Sequence, residues 1–217
     1  MQETKREIRR ELLAARGALP GEARGRADLE TWKALRDFLI EAVDEGATIA
    51  AYRPFGSEPG ASLEPELPER LTVVYKVLLP VLLPDNDLAW ESIGSLGAQE
   101  KDVQKGTAEP EAGAQAGPRR DAPNDPTSRA DEGDVLGPEA VAEVAAVIVP
   151  ALAVSNDGIR LGRGGGSYDR ALTRVGPEVP VVALLREGEF GVPVPAEPHD
   201  RPVTGVITPS LGFRSLR

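Results

Sequence analysis

Five consecutive apolar residues, Ala145-Ala146-Val147-Ile148-Val149, constrain this chain more than any other stretch. A strand without polar alternation has no face to offer water, so it needs a sheet covered on both sides. Other short runs read the same way: 48–52, 72–75, 77–83, 87–92, 181–185 and 203–207 are strand candidates. Helical periodicity lies between and before them. Over 4–19, Ile8, Leu12, Ala15 and Leu19 form an apolar stripe, with Thr4 and Glu7 spaced as a capping box. Trp32, Leu35, Leu39 and Ala42 mark a second helix over 22–43, stopped by Gly46. Shorter helices are predicted at 138–143 and 167–174. Alternating strands and helices imply an α/β fold: a three-layer α/β/α sandwich around a mostly parallel, Rossmann-like sheet.

A chain of 217 residues with 41% hydrophobic content can bury a core of this kind as one domain over 1–217. One stretch does not contribute. Between Ala98 and Asp134 the only sizeable aliphatic residue is Val103, so residues 111–134 are expected to be a mobile surface insertion. With 25 Lys+Arg against 35 Asp+Glu, the net charge of −10 argues against a duplex nucleic-acid partner and for small anions held at a local positive site. The absence of cysteine excludes a disulfide framework, a zinc finger and a thiol nucleophile. His199 is the only histidine, which excludes a multi-histidine metal site. Val73–Leu83, the longest apolar stretch, is broken by Lys76 and Pro80 and is too short to span a bilayer. A cytoplasmic monomer without a membrane anchor is expected.

The segment that follows the apolar strand carries the chemistry. It turns at Asn156-Asp157-Gly158, reaches Gly162-Arg163-Gly164-Gly165-Gly166, and enters a helix near Ser167. Glycines let backbone N–H groups point at one ligand and allow its close approach. Arg160 and Arg163 add full charges, and the helix start adds partial positive charge. Together these suit a polyphosphate. Asp169 can hold Mg2+ beside it, since magnesium takes one or two carboxylates together with phosphate oxygens. Ser167 stands where a Walker loop needs Lys and a dinucleotide loop needs Gly, so neither generic fingerprint applies. From the residues alone, a small-molecule kinase, a phosphosugar isomerase or a non-catalytic nucleotide-binding protein remains open.

The run VPALAVSNDGIRLGRGGGSYDRAL, Val149 to Leu172, resembles the signature VPxLAFxxxGxRLGxGxGYYDR of the 5-formyltetrahydrofolate cyclo-ligase (methenyltetrahydrofolate synthetase) family. The order of further pieces is similar: Lys5 and Arg9 on the first helix, Tyr52 through Glu58, Glu109-Pro110, Pro195-x-Glu197-Pro198-His199-Asp200, and a terminal strand ending in Thr208. The resemblance implies ATP- and Mg2+-dependent cyclisation of 5-formyltetrahydrofolate to 5,10-methenyltetrahydrofolate, with release of ADP and phosphate. It implies ATP contacts from Lys5, Arg9, Arg160, Leu161, Gly162, Arg163, Gly164, Gly165, Gly166, Ser167 and Tyr168, of which Arg163 and Tyr168 also serve catalysis. Tyr52, Phe55 and Glu58 would bind the folate, and Asp169 and Asp200 the metal. Two departures stand out. Ser167 replaces the first Tyr of Tyr-Tyr-Asp, and Pro59-Gly60-Ala61 follows Glu58 in place of the usual hydrophobic-acid-Thr.

Overall fold

The computed structural model describes residues 4–94 and 135–216; the expected insertion at 111–134 and the Glu109-Pro110 pair lie outside them. Helix α1 spans Lys5–Ala18, and its capping box is complete: the Thr4 side chain accepts from the Glu7 N–H, and the Glu7 carboxylate accepts from the Thr4 N–H. Helix α2 spans Gly21–Ala42. Then come β1 Thr48–Ala50, α3 Leu67–Leu71, β2 Lys76–Leu82, β3 Leu88–Ile93, β4 Val135–Leu136 and a 3₁₀ turn at Pro138–Glu143. The second half runs through β5 Ala146–Pro150, β6 Ala153–Val154, β7 Arg160–Leu161, α4 Ser167–Leu172, β8 Val181–Leu184, β9 Gly205–Thr208 and β10 Gly212–Ser215.

Eight of these strands form one sheet in the order β10-β9-β8-β5-β1-β2-β3-β4. The five central strands, β9 to β2, are mutually parallel, and β10, β3 and β4 close the edges antiparallel. The continuous apolar run behaves as expected: every residue of Ala146–Val149 is buried. One sheet face packs Ile49, Val77, Ile148, Val182 and Ile207 against Leu35 and Leu39 of α2 and Leu67 and Leu71 of α3. The other packs Ala50, Leu78, Val147, Val149 and Ala183 against Ala171 and Leu172 of α4 and Val141 of the 3₁₀ turn. This is the three-layer α/β arrangement predicted, with one covering layer much thinner than the other.

The chain order has a consequence for function. From β1 the sheet grows one way to β2, and from β5 it grows the other way through β8 to β9. The reversal falls between the neighbours β1 and β5, and ligands of open parallel sheets bind outside the carboxyl ends at such a point. The segments leaving those two ends are 51–60 and the glycine-rich 151–166.

Several local expectations are corrected. Residues 72–75 are not a strand: Thr72 caps α3, Val73 and Val74 are exposed, and the β-branched run is the turn that leads into β2. Residues 138–143 are 3₁₀ rather than α, and α4 ends at Leu172, short of 174. On α1 the buried face is Ile8 and Arg16, with Ala15 exposed. On α2 Ala42 is exposed and Phe38 is buried. The short β6–β7 hairpin interrupts the glycine segment. Its turn requires Gly158: φ is +81°, and a Cβ there would lie 2.7 Å from the Val203 carbonyl oxygen.

Candidate active site

A cavity of about 1300 Å³ opens at the carboxyl ends of β1 and β5. Every site residue expected from the sequence lines it, from Lys5 and Arg9 on α1, through Tyr52, Phe55 and Glu58, to Arg160–Asp169 and Asp200. Nine lysines and arginines on its wall face five carboxylates, an excess of four positive charges in a chain of net charge −10. Low-dielectric walls concentrate such a field and draw in anions.

The glycine loop forms one wall. The Arg9 Nε donates to the Gly162 carbonyl at 2.8 Å, fixing the loop to α1. Gly164 has φ +113°, and its missing side chain leaves space beside the Arg9 guanidinium, 3.7 Å from where a Cβ would sit. Arg160 is buried on β7; its Nη2 donates to Asp169 Oδ1 at 3.2 Å, its Nη1 reaches the Pro150 carbonyl at 3.4 Å, and its Nε has no protein partner. Its guanidinium stands 5.5 Å from the centre of the Tyr168 ring, whose buried hydroxyl also lacks a protein partner. Burial pushes the Tyr168 pKa well up despite the opposing charge of Arg160, so the hydroxyl is a donor at any ordinary pH. With only six residues, α4 has a weak dipole; the positive potential comes from the arginines.

Residues 52–60 form the opposite wall. Tyr52 is buried and Phe55 is 60% exposed. Glu58 is buried; its Oε2 accepts from the Phe55 N–H at 3.2 Å, and its Oε1 accepts from Arg163 at 3.1 Å. Arg163 also lies over the Phe55 ring, 4.6 Å from its centre. The glycine loop and the Glu58 loop thus meet through one half-exposed guanidinium.

Asp169 and Asp200, the two expected metal carboxylates, both line the cavity, on segments joined by one hydrogen bond. The Arg201 N–H, one residue beyond Asp200, donates to Asp169 Oδ1 at 3.4 Å. Asp200 binds the Lys5 ammonium at 3.0 Å, and Glu197 does so at 3.1 Å. Burial opposes the charge on Lys5, but the hydrogen bonds to Asp200 and Glu197 outweigh it and raise its pKa. Burial likewise opposes ionisation of Asp200; the Lys5 hydrogen bond, the Glu197 N–H and the nearby charges prevail and hold its carboxyl below the usual range. Two carboxylates on the wall next to the glycine loop are the donor set a hard divalent cation takes alongside phosphate oxygens, so the residues fit the group. His199 is exposed, with Nε2 3.3 Å from Glu197 and 4.0 Å from Asp200.

The buried ion pairs behind the cavity wall were not expected from the sequence, although one of their members, Arg16, reaches the wall itself. Arg16 forms a bidentate pair with Glu189 at 2.6 and 2.7 Å and also donates to the Ala151 carbonyl. A signal existed: Ile8, Leu12 and Arg16 follow an i, i+4 spacing, whereas Ala15 was assigned to the stripe. Asp28 on α2 pairs with Arg186 after β8 at 2.5 Å. No local pattern links residues so far apart in the chain.

Residues 1–209 match the model of the 5-formyltetrahydrofolate cyclo-ligase family. A 5-formyltetrahydrofolate cyclo-ligase of Mycolicibacterium smegmatis is 36% identical over 215 residues, covering 99% of this chain and 98% of that protein. Two solved structures share the fold. A 5,10-methenyltetrahydrofolate synthetase from Mycoplasma pneumoniae superposes with a TM-score of 0.68 at 19% identity, over 96% of this chain and all of that one. Its Aquifex aeolicus counterpart gives 0.66 at 24% identity, over 98% and 93%. With a family match across nearly its whole length and a close relative aligned end to end, the chain belongs to the 5-formyltetrahydrofolate cyclo-ligase family.

Proposed function

We propose that this protein, a single domain over 1–217 working as a cytoplasmic monomer, converts 5-formyltetrahydrofolate and ATP to 5,10-methenyltetrahydrofolate, ADP and phosphate. The observation that carries the reading is the meeting of two walls in one cavity: a cationic glycine loop suited to triphosphate, and a loop with a buried carboxylate suited to a pterin. None of the helices among the described residues is long and apolar enough to cross a membrane.

The chemistry requires activation of a poor leaving group. The formyl oxygen attacks the γ-phosphorus and ADP departs. N10 then adds to the activated formyl carbon and loses its proton. Phosphate leaves and the ring closes as the methenyl cation. Positioning and charge neutralisation suffice for such a transfer. Lys5, Arg9 and Arg160 would hold the phosphates, with the unpartnered Arg160 Nε and Tyr168 hydroxyl as spare donors. Arg163 would exchange Glu58 for the transferring phosphoryl group, where its charge counts most. Glu58, released from that pair, would accept from pterin N–H groups beside the formyl carbon, with Tyr52 and Phe55 against the ring. Asp169 and Asp200 would hold Mg2+, which would neutralise phosphate charge. Ser167 leaves more room than a tyrosine beside Tyr168.

Initial rates of methenyl chromophore growth, with folate, ATP or magnesium omitted in turn and the formyl oxygen labelled with ¹⁸O, test the proposal. All three components should be required, and the label should leave in inorganic phosphate. Chromophore growth without ATP, or phosphate without label, would overturn it.

A further inference from the structure

Arg186 is almost wholly buried and touches neither the glycine loop nor the metal-side carboxylates. Its guanidinium spends its donors on the other wall. Nη2 donates to the Glu58 carbonyl at 2.8 Å, and Nε and Nη2 both reach the Ser57 carbonyl at 3.3 Å. Nη1 donates to Asp28 Oδ1 at 2.5 Å. Asp28, fully buried, receives the same loop further on, from the Gly60 N–H at 2.7 Å, the Ser62 N–H at 3.0 Å and the Ser62 hydroxyl. The Arg186 N–H in turn donates to Glu189 Oε2, the carboxylate that holds Arg16. A planar, always-charged fork suits this: the Arg186 nitrogens are spread wide enough to serve the Asp28 carboxylate and two successive carbonyls with several N–H groups at once, where a lysine has three donors on a single nitrogen.

Apart from Arg186 and Asp28, the main chain of the loop near Glu58 is held by the Ala61 N–H, which donates to the Glu58 carbonyl at 3.2 Å, and by the Tyr52 hydroxyl, which reaches the Pro59 carbonyl at 3.5 Å. Residues 53–60 contain no strand or helix, and the Glu58 N–H is bonded only within the loop, to the Phe55 carbonyl at 3.1 Å. A carboxylate on such a segment points wherever its main chain is held, and reaction rates fall steeply with small misplacements. We propose that Arg186 is a positioning residue for the folate side of the reaction: it clamps the backbone at Ser57 and Glu58 and so sets where the Glu58 carboxylate meets the formyl folate. This rests on the cyclisation reading for the identity of the substrate, whereas the clamp itself rests on geometry alone.

Arg186→Lys keeps a cation beside Asp28 and removes the fork; Arg186→Met removes both. Asp28 keeps three other donors in either variant, so Arg186→Lys should fold and melt within a few degrees of wild type. In Arg186→Lys, the KM for 5-formyltetrahydrofolate should rise about tenfold, the worth of one charge-assisted hydrogen bond, while the KM for ATP stays unchanged. Amide hydrogen exchange across 53–60 should quicken, with 160–166 unaffected. Equal rises in both KM values would indicate general loosening and overturn the proposal; so would unchanged folate KM or unchanged exchange in 53–60. If Arg186→Met fails to fold, Arg186→Lys carries the test. A wild type that does not cyclise formyl folate removes the reaction, and the exchange comparison then decides the clamp by itself.

Discussion

Arg16–Glu189 and Arg163–Glu58 join the same chemical groups at similar distances, yet they do opposite work. In the first pair both side chains are under 5% exposed, and the arginine's bonds go to Glu189 and to the Ala151 carbonyl. Arg186–Asp28 is the same kind of closed pair. In the second pair Glu58 is buried while Arg163 is about half exposed, so the guanidinium is free to turn to a ligand, and the buried carboxylate then needs a new donor in its place. Lys5–Asp200 lies between these extremes, with a 17%-exposed ammonium facing a sequestered carboxylate. Breaking a buried pair by removing one partner leaves an uncompensated charge; in a pair with an open side the exposed partner can leave at little cost only when an incoming ligand supplies the buried one with a new donor. On the proposed reading the closed pairs hold the scaffold, Arg186 among them as the clamp on the Glu58 loop, and the open ones meet the substrates.

The comparison can be broken by exchanging the expected effects. The largest falls on a closed pair: Arg16→Met should cost about 3–5 kcal/mol of stability by chemical denaturation. If it melted like wild type, the distinction would lose its scaffold half. Glu58→Gln should do the reverse, lowering kcat/KM for the folate about 10–100-fold, as removal of a charged hydrogen-bond partner does, with a smaller loss of stability than Arg16→Met because Gln keeps an acceptor for the Phe55 N–H and leaves no buried charge unpaired. A loss of stability as large as that of Arg16→Met would place Glu58 among the closed pairs. Asp169→Asn should raise the magnesium needed for half-maximal turnover several-fold and leave the melting temperature nearly unchanged; wild-type magnesium dependence would remove Asp169 from the metal site. The smallest effect is on pH dependence. Asp200 is held below the usual carboxylate range, so its contribution to stability is present above a pH of about 3.9 and fades as pH falls through its lower folded value. Asp200→Asn should flatten that acid limb by about 1 kcal/mol or less in melts run from pH 5 to pH 2.

What the sequence disclosed follows the same division. The parallel core was legible because Ala146–Val149, Val181–Leu184 and Val206-Ile207 leave no polar face, and burial on both sides is the only arrangement that suits them. The cavity wall was legible because the glycines and arginines that make it are contiguous in the chain. The strand expected at 72–75 failed because β-branched residues favour extended backbone whether or not a neighbour pairs with it, and here the preceding helix left them as an exposed turn. The closed pairs were hidden for a different reason. Asp28 and Arg186 are 158 residues apart, and a charged residue in a helix or after a strand looks like solvent-facing surface until the fold brings its partner to it.

In the proposed reaction Arg163 exchanges Glu58 for phosphate when both substrates enter the cavity. A crystal structure with a non-hydrolysable ATP analogue and 5-formyltetrahydrofolate tests it most directly. Triphosphate should lie along Gly162–Gly166, with the Arg163 guanidinium on the γ-phosphate and the Glu58 carboxylate on the pterin. Nucleotide bound elsewhere, with Arg163 still on Glu58, would contradict it.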